Sequence, residues 1–161
     1  MKLSMTTLAL VALTGAPALA AGDVEAGAKV FNQCQTCHIV ANEAGEVLAG
    51  RNAKTGPNLY AVIGRTAGTY EGFRYGDAIV AAGEKGLIWD EATFVDYVQD
   101  PATFLKTYLD DKSAKSLMVF KVRKEVDAQN LYAFLVSLAP VPAEGAAEGG
   151  AAAPAAPAVS N

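Results

Sequence analysis

The residues of this chain best suited to do chemistry are Cys34, Cys37 and His38, which lie within one short segment, Cys-Gln-Thr-Cys-His. This segment contains both cysteines and the one histidine of the 161-residue sequence. A Cys-x-x-Cys-His pattern is the attachment sequence of a c-type haem. On a short helical turn the two sulfurs can form thioethers with the two vinyl groups of a porphyrin, while the adjacent imidazole ligates the iron. The pattern therefore predicts one covalently bound haem c.

Two other chemistries use a Cys-x-x-Cys pair, and the surrounding sequence favours neither. A thioredoxin-like redox pair follows a strand in a βαβ unit, but residues 31–40 do not have the pattern of a strand. A structural zinc site needs four ligands. Cys34, Cys37 and His38 are too close in sequence to complete a tetrahedron without a distant carboxylate. The haem interpretation uses all three residues and needs no further ligand from the same segment.

A haem iron ligated by one imidazole has one axial position left, which His or Met fills in electron-transfer haems. No second histidine is present, and Met1 and Met5 lie in a leader segment, so Met118 is the remaining candidate. A methionine among apolar neighbours is commonly plain core. In that case the open iron would indicate a gas-binding, gas-sensing or peroxidase-like protein. We predict ligation by His38 and Met118, which leaves no site for a substrate and favours single-electron transfer over catalysis.

The two ends of the chain differ in composition from its middle. Residues 1–20 have the pattern of a secretory signal peptide, with Lys2, a short apolar run and the small residues Ala18 and Ala20 around a cleavage site. We expect cleavage after Ala20 and export to the periplasm, because c-type haem is attached outside the bacterial cytoplasm. Residues 21–138 are enough for one domain. Residues 139–161 are rich in Ala, Pro and Gly, which predicts a disordered tail.

The chain has a net charge of −4, which argues against nucleic acid as a partner. Against this acidic background, basic residues cluster around Met118. We call this cluster the basic rim, and it consists of Lys106, Lys112, Lys115, Lys121, Arg123 and Lys124. Few acidic residues lie near it in sequence. Such a run is usually a solvated face, but here it flanks the candidate iron ligand.

Apolar spacing and capping residues predict the helices that would position these groups. The first helix is capped by Asp23, with Val24, Gly27, Val30 and Phe31 inward, and a short helix follows at 77–83. The next helix, Glu91–Gln99, is capped by Asp90 with Phe94, Val95 and Val98 inward, and a short helix through Phe104 and Leu105 comes after it. The last helix is capped by Asp127, with Ala128, Leu131, Tyr132, Leu135 and Leu138 inward. Gly27 would let the first and last helices cross closely. Between them, 42–54 is predicted to be a surface loop, and the glycine-rich 61–76 suits backbone wrapped around a flat ligand.

These motifs and their order resemble a class I cytochrome c, and closely resemble the larger periplasmic cytochromes of the bacterial cytochrome c2 type. The resemblance covers nearly all of 23–138. It is carried by Gly-Asp-Val-Glu-x-Gly, the haem motif, Thr-Gly-Pro-Asn-Leu, Gly-Arg, Gly-Phe-x-Tyr, the Trp89 segment, Tyr97 before Pro101, and the methionine before Val-Phe. It implies an all-α fold in which helices and loops wrap around one covalently bound haem c.

The resemblance also implies residues that support the axial ligands. The carbonyl of Pro57 would accept the Nδ1 proton of His38 and hold the imidazole in orientation. Tyr97 would lie near the sulfur of Met118 and adjust its donation to the iron. Tyr97 could instead be an ordinary core residue.

A third implication concerns the haem propionates. Arg65, Tyr75 and Trp89 would hydrogen-bond or pair with them, so that buried carboxylates are compensated. Two alternatives stay open here. Trp89 precedes the Asp90 cap and could pack as a hydrophobic staple onto Phe94, and Arg65 could be a surface charge of a loop.

The implied function is that of a soluble, monomeric electron carrier that is not an enzyme. It would take an electron from a quinol oxidoreductase of the cytochrome bc1 type and deliver it to a cytochrome c oxidase, a photosynthetic reaction centre or a nitrite reductase. The basic rim would steer transient docking with these partners.

Overall fold

The computed structural model describes residues 22–139, which form five helices and one β-hairpin. In chain order these are α1 (Val24–Cys34), β1 (Ile39–Ala41), β2 (Val47–Gly50), α2 (Asp77–Glu84), α3 (Glu91–Gln99), α4 (Pro101–Leu109) and α5 (Glu125–Leu138). The predicted dominance of helices is confirmed. The predicted signal peptide, and all of the predicted tail except Ala139, lie outside the described residues. In the described part of the chain, none of the helices has the length and hydrophobicity needed to cross a membrane.

Helices α1 and α5 cross at Gly27, as the sequence predicts. A Cβ atom on Gly27 would lie 2.0 Å from the carbonyl oxygen of Asn130 and 2.7 Å from the Cβ of Phe134. No side chain fits in that space, so only glycine permits this approach. The ring of Phe31 meets that of Phe134 with 5.5 Å between centroids. The crossing therefore holds together the first and last parts of the domain.

The start of α1 is capped as predicted, since Asp23 Oδ1 accepts the backbone N–H of Glu25 at 2.8 Å and of Ala26 at 3.0 Å. The predicted inward position of Val24 is wrong, because its side chain is 42% exposed. At this end of the helix the contact with α5 is made by backbone instead. The N–H of Asp23 donates to Asn130 Oδ1 at 2.8 Å.

The predicted surface loop at 42–54 is wrong for its central part, which forms strand β2. This strand pairs antiparallel with β1, with Ile39 opposite Gly50 and Val40 opposite Ala49. The turn is closed by Asn42, whose side-chain oxygen accepts the N–H of Glu46 at 2.9 Å. Because Val47 and Leu48 are exposed, β2 has no buried face. It therefore lacks the apolar alternation by which a strand is recognised in sequence.

The middle of the chain follows the predicted pattern. Helix α3 has the predicted bounds, and Asp90 and Thr93 form a reciprocal capping box at its start. Pro101 ends α3 and occupies the first turn of α4, where a missing N–H costs nothing. The segment 61–76 contains neither helix nor extended strand, only an isolated bridge between Thr66 and Ile88.

Helix α5 begins three residues earlier than predicted. Its N-cap position is Lys124, which makes no side-chain capping bond, and Glu125 and Asp127 lie in the first turn. Asp127 is thus not the cap. Its carboxylate lies in the first turn, where a negative charge interacts favourably with the helix dipole. Acidic residues near the start of a helix therefore do not by themselves locate the cap. The inward residues Ala128, Leu131 and Leu135 are buried as predicted.

Candidate functional site

The Cys-x-x-Cys-His segment lies at the carboxyl end of α1, where the helix closes in one further turn. Both Cys37 N–H and His38 N–H donate to the carbonyl of Cys34, at 3.0 and 2.9 Å. The two sulfurs and the imidazole are therefore carried on a single turn, as haem attachment requires. Because a helix precedes Cys34, the segment is not the strand-to-helix turn of a thioredoxin-like pair.

Cys34 and Cys37 form no disulfide, and both are half-buried. Burial, with a smaller contribution from the neighbouring Cys37, raises the pKa of the Cys34 thiol to about 11. Before a thioether forms, Cys34 is therefore a protonated thiol at neutral pH.

The imidazole of His38 is held by one hydrogen bond, in which its Nδ1 lies 2.9 Å from the carbonyl oxygen of Pro57. A carbonyl can only accept, so Nδ1 carries the proton and Nε2 keeps its lone pair for a metal. Burial lowers the pKa of His38, and the bond to Pro57 opposes that shift. The ring is thus favoured in its neutral form, which is the form that ligates iron. The contact implied by the resemblance is present.

Gly56 lies against the face of the same ring, a contact that sequence reasoning missed. A Cβ atom at Gly56 would lie 2.4 Å from Cε1, 2.6 Å from Nδ1 and 2.8 Å from Nε2 of His38. The Gly56 N–H also donates to the carbonyl of Cys37 at 2.7 Å. The only signal in the sequence was the Gly-Pro pair, which indicated a turn and gave no sign of the contact.

The predicted haem-binding residues meet at one cavity of about 770 Å³, a size typical of small-molecule and cofactor sites. Its lining includes every site residue predicted from the sequence, namely Cys34, Cys37, His38, Pro57, Arg65, Tyr75, Trp89, Tyr97 and Met118. The remaining wall is largely apolar and comes from several elements, among them Phe94, Val98, Leu105 and Leu131. Two thiols, an imidazole and a thioether at one apolar cavity are the donor set that a c-type haem needs, so the residues fit the group.

Arg65 lies at this cavity but is already partly engaged by its own loop. Its guanidinium donates to the carbonyl of Asn58 at 3.3 Å and to the carbonyl of Tyr60. It also stacks over the ring of Tyr70, 5.1 Å from the centroid. Burial lowers the pKa of Arg65, and the nearby Tyr75 and Tyr70 act in the opposite direction. A guanidinium has five N–H donors, so further donors remain for a carboxylate.

Trp89 is buried and belongs to an aromatic cluster. Its ring centroid lies 4.9 Å from that of Tyr97 and 6.3 Å from that of Phe104. Arg74 also lines the cavity although its side chain is exposed. Sequence reasoning did not select Arg74, because its place before Tyr75 in the chain does not show that it lines the cavity.

Tyr97 is linked to Met118 through a residue that sequence reasoning missed. The phenol forms a hydrogen bond with the side chain of Ser116, and Ser116 Oγ accepts the backbone N–H of Met118 at 3.1 Å. Burial raises the pKa of Tyr97, and the bond to Ser116 partly offsets this. The phenol therefore stays neutral at physiological pH and its proton is available for hydrogen bonding.

All six residues of the basic rim are exposed, and one of them is paired. Lys121 Nζ lies 2.7 Å from Asp100 Oδ2, an acid from the junction of α3 and α4. The fold therefore brings one acid, Asp100, to the rim from 21 positions away in the sequence. Lys115 lines the cavity as well.

Comparison with known proteins finds relatives of this chain among bacterial cytochromes. No protein-family model matches the chain. Cytochrome c2 of Cereibacter sphaeroides is 57% identical over 142 residues, which cover 86% of this chain and 98% of the relative. Cytochrome c-551 of Roseobacter denitrificans is 50% identical over 135 residues, covering 82% and 94%. The X-ray structure of cytochrome c2 from Rhodobacter sphaeroides superposes with a TM-score of 0.73 at 59% identity, covering 75% of this chain and 99% of that one.

Proposed function

We propose, since this chain belongs to the class I cytochromes c of the cytochrome c2 type, that it is a periplasmic single-electron carrier whose iron is ligated by His38 and Met118. Proteins of this family carry one covalently bound haem c and act as electron carriers. The observation that best supports the finer assignment is the cavity that joins both cysteines, His38 and Met118. When bound, the haem supplies a centre that takes up and releases one electron.

The proposed role of the histidine side is to present one orientation of the imidazole. The Nδ1 proton stays on the ring because Pro57 accepts it, so Nε2 is the atom available to iron. Cys34 and Cys37 provide the thioether sulfurs from the same turn. Covalent attachment would then keep the haem in place whatever the strength of its bonds to His38 and Met118.

The proposed role of the polar wall is to compensate the propionates. Arg65, Tyr75 and Trp89 line the cavity from three separate segments and each carries an N–H or O–H donor. We add Arg74 to this set, because it lines the same cavity and carries a guanidinium. A carboxylate buried without such donors would be strongly destabilising.

The proposed partners are membrane and periplasmic redox proteins. A quinol oxidoreductase of the cytochrome bc1 type would reduce the carrier, and a cytochrome c oxidase, a photosynthetic reaction centre or a nitrite reductase would oxidise it. The support is a six-residue exposed basic rim on a chain of net charge −4. Such a charge distribution steers an encounter without making a long-lived complex.

The ligation is tested by the absorption spectrum of the purified holoprotein, oxidised and reduced, for the wild type and Met118→Ala. The wild type should show the weak near-infrared band of a methionine bound to ferric haem and resist carbon monoxide. Met118→Ala should lose the band and bind the gas. Leu117→Ala is the matched control, because Leu117 lines the same cavity, is 73% exposed and has no ligating atom. A wild type that lacks the band and binds carbon monoxide would place the function in ligand chemistry at an open iron.

The docking role is tested by the bimolecular electron-transfer rate with a purified bc1 complex as salt is varied. The rate should fall steeply with ionic strength, since exposed charges are screened beyond about 10 Å at 0.1 M salt. Lys115→Glu should lower the rate at low salt with little change in reduction potential. Lys29→Glu on α1 is the control, because Lys29 is exposed but does not line the cavity. A rate that is flat with salt would contradict docking through the basic rim.

A further inference from the structure

Asn58 has the most heavily used side-chain amide in the described part of the chain, although it does not line the cavity. Its Oδ1 accepts the backbone N–H of Ala41 at 3.0 Å and that of Tyr60 at 3.0 Å. Its Nδ2 donates to the carbonyl of Ala41 at 2.7 Å and to the hydroxyl of Tyr70 at 3.4 Å. An asparagine amide has two donor hydrogens and an acceptor oxygen with two lone pairs. All four are therefore used.

Two of these contacts form a pair with one residue. The amide engages both the N–H and the carbonyl of Ala41, as a neighbouring strand would. Ala41 is the last residue of β1 and its ladder partner is Val47, with an irregular register at that point. Asn58 thus joins the segment after Pro57 to the end of β1, from 17 positions away.

Pro57 is bracketed by this arrangement. On one side of it, the Gly56 N–H donates to the carbonyl of Cys37 at 2.7 Å. On the other side, Asn58 is tied to Ala41, and the Leu59 N–H donates to the carbonyl of Ile39 at 2.8 Å. Pro57 itself has no N–H with which to anchor its own backbone. The position of its carbonyl therefore depends on the bonds of its neighbours.

We infer that Asn58 is a positioning residue for the histidine side of the site, holding the Pro57 carbonyl against the Nδ1 proton of His38 by clamping residue 58 to β1. The inference rests on the proposed function in one respect, that His38 ligates the iron. Asn58 lies next to Pro57 in the chain and its side chain makes four hydrogen bonds, whereas the Pro57 carbonyl accepts one from the ring. Loss of the amide frees the carbonyl without removing it.

The expected consequence is electronic as well as mechanical. A carbonyl that accepts the Nδ1 proton makes the imidazole a better donor, which favours ferric iron. A loosened bond should therefore raise the reduction potential of Asn58→Ala. It should also expose the Nδ1 proton to solvent, so that its exchange with water speeds up by at least about tenfold, as expected for the loss of one or two part-buried hydrogen bonds.

The test measures the His38 Nδ1 proton exchange rate by NMR in the reduced holoprotein, together with the potential. The variants are Asn58→Ala, Asn58→Asp and Tyr70→Phe, with Asn42→Ala as the matched control. Asn42 is one residue from Ala41, but its side chain bonds to Glu46 within the hairpin and not to residues 56–60. Both readouts should change in the two Asn58 variants, change weakly in Tyr70→Phe because that bond is long, and stay at the wild-type value in Asn42→Ala.

Two outcomes overturn the inference. One is an Asn58→Ala protein whose Nδ1 exchange and potential equal those of Asn42→Ala. The other concerns Asn58→Asp, which keeps the acceptor oxygen for Ala41 and Tyr60 but loses the donor to the Ala41 carbonyl. If Asn58→Ala yields no holoprotein, an unchanged Nδ1 exchange rate and reduction potential in Asn58→Asp overturn the inference. Failure of the proposed function looks different. In that case the wild type itself would lack a haem spectrum or an axial histidine resonance.

Discussion

The two proposed iron ligands belong to one cavity, but their surroundings hold them very differently. His38 has a hydrogen bond to Pro57, a glycine packed on its face, and backbone bonds from the same turn to Cys34 and Gly56. Met118 has one anchor of its own, the bond from its N–H to Ser116. Within the described residues, no backbone group from Lys115 to Lys121 bonds to another backbone group. The next anchors are the Lys121 ion pair and the bond from Val122 N–H to the Val98 carbonyl at 2.9 Å.

We infer from this difference that contacts within the protein fix the orientation of the imidazole. The thioether has fewer such contacts, so its position depends more on its bond to iron. Backbone hydrogen bonds and close packing resist displacement cooperatively. A single side-chain bond and an exposed ion pair are each worth about 1 kcal/mol or less. Conditions that loosen the domain are therefore expected to release Met118 before His38.

The largest expected effect comes from filling the space on the histidine side. Gly56→Ala would place a Cβ atom 2.4 Å from Cε1 of His38, so the ring or the backbone must move. We expect a loss of at least about 1–3 kcal/mol in the free energy of unfolding, the usual cost of overpacking, and a lower yield of holoprotein. Denaturant unfolding followed by haem absorption measures both.

The matched control for this change is Gly76→Ala on the methionine side. There the new Cβ would lie 3.0 Å from Cγ of Leu117, whose side chain is 73% exposed and free to move. Gly76→Ala should therefore unfold close to the wild type. Equal losses in the two variants would contradict the difference between the two sides.

A smaller effect is expected from removing the anchor of Met118. Ser116→Ala deletes the oxygen that accepts the Met118 N–H and bonds to Tyr97. The expected loss is about 1 kcal/mol of unfolding free energy, and the near-infrared methionine band should disappear at a lower pH than in the wild type. Ser113→Ala is the control, because Ser113 bonds to Asp111 in the same loop and not to Met118. An unchanged titration of the band would show that Ser116 does not hold Met118.

The methionine side should also have a pH dependence that comes from Tyr97. Burial raises the pKa of its phenol in the folded protein, so as the pH rises the unfolded chain loses this proton first. The contribution of Tyr97 to the free energy of unfolding is therefore fully present below the ordinary pKa of tyrosine. It is lost as the pH rises towards the pKa in the folded protein. Tyr97→Phe should flatten the fall in unfolding free energy at alkaline pH by removing this contribution. Parallel curves for the wild type and Tyr97→Phe would exclude Tyr97 as the cause.

The smallest effect concerns strain on the histidine side. Ala61 has a φ of 49°, in the left-handed region that disfavours a Cβ atom. Ala61→Gly should relieve about 1 kcal/mol of strain and lose roughly 0.5–1 kcal/mol through the greater freedom of the unfolded chain. The net change in unfolding free energy should therefore lie near zero. A loss well above 1 kcal/mol in a denaturant titration would mean that the Ala61 methyl group makes packing contacts that outweigh its strain.

Features set by neighbouring residues could be predicted from the sequence. The bounds of α3 follow from the Asp90 cap, the apolar period and Pro101, all within a dozen positions. The start of α5 was misplaced because Lys124 makes no capping bond and leaves no signal. Strand β2 was missed because its side chains are exposed and its partner is another chain segment.

By itself the sequence determined which groups are available for chemistry. It contains two cysteines and one histidine in an attachment motif, and one methionine beyond the predicted leader, so the candidate ligands follow from counting alone. The tertiary structure alone decided how those groups are held. The bond from His38 to Pro57 spans 19 positions and the clamp from Asn58 to Ala41 spans 17, while Met118 reaches the same cavity from a segment beyond α4. Such contacts depend on how separate segments pack, and local spacing does not specify that packing.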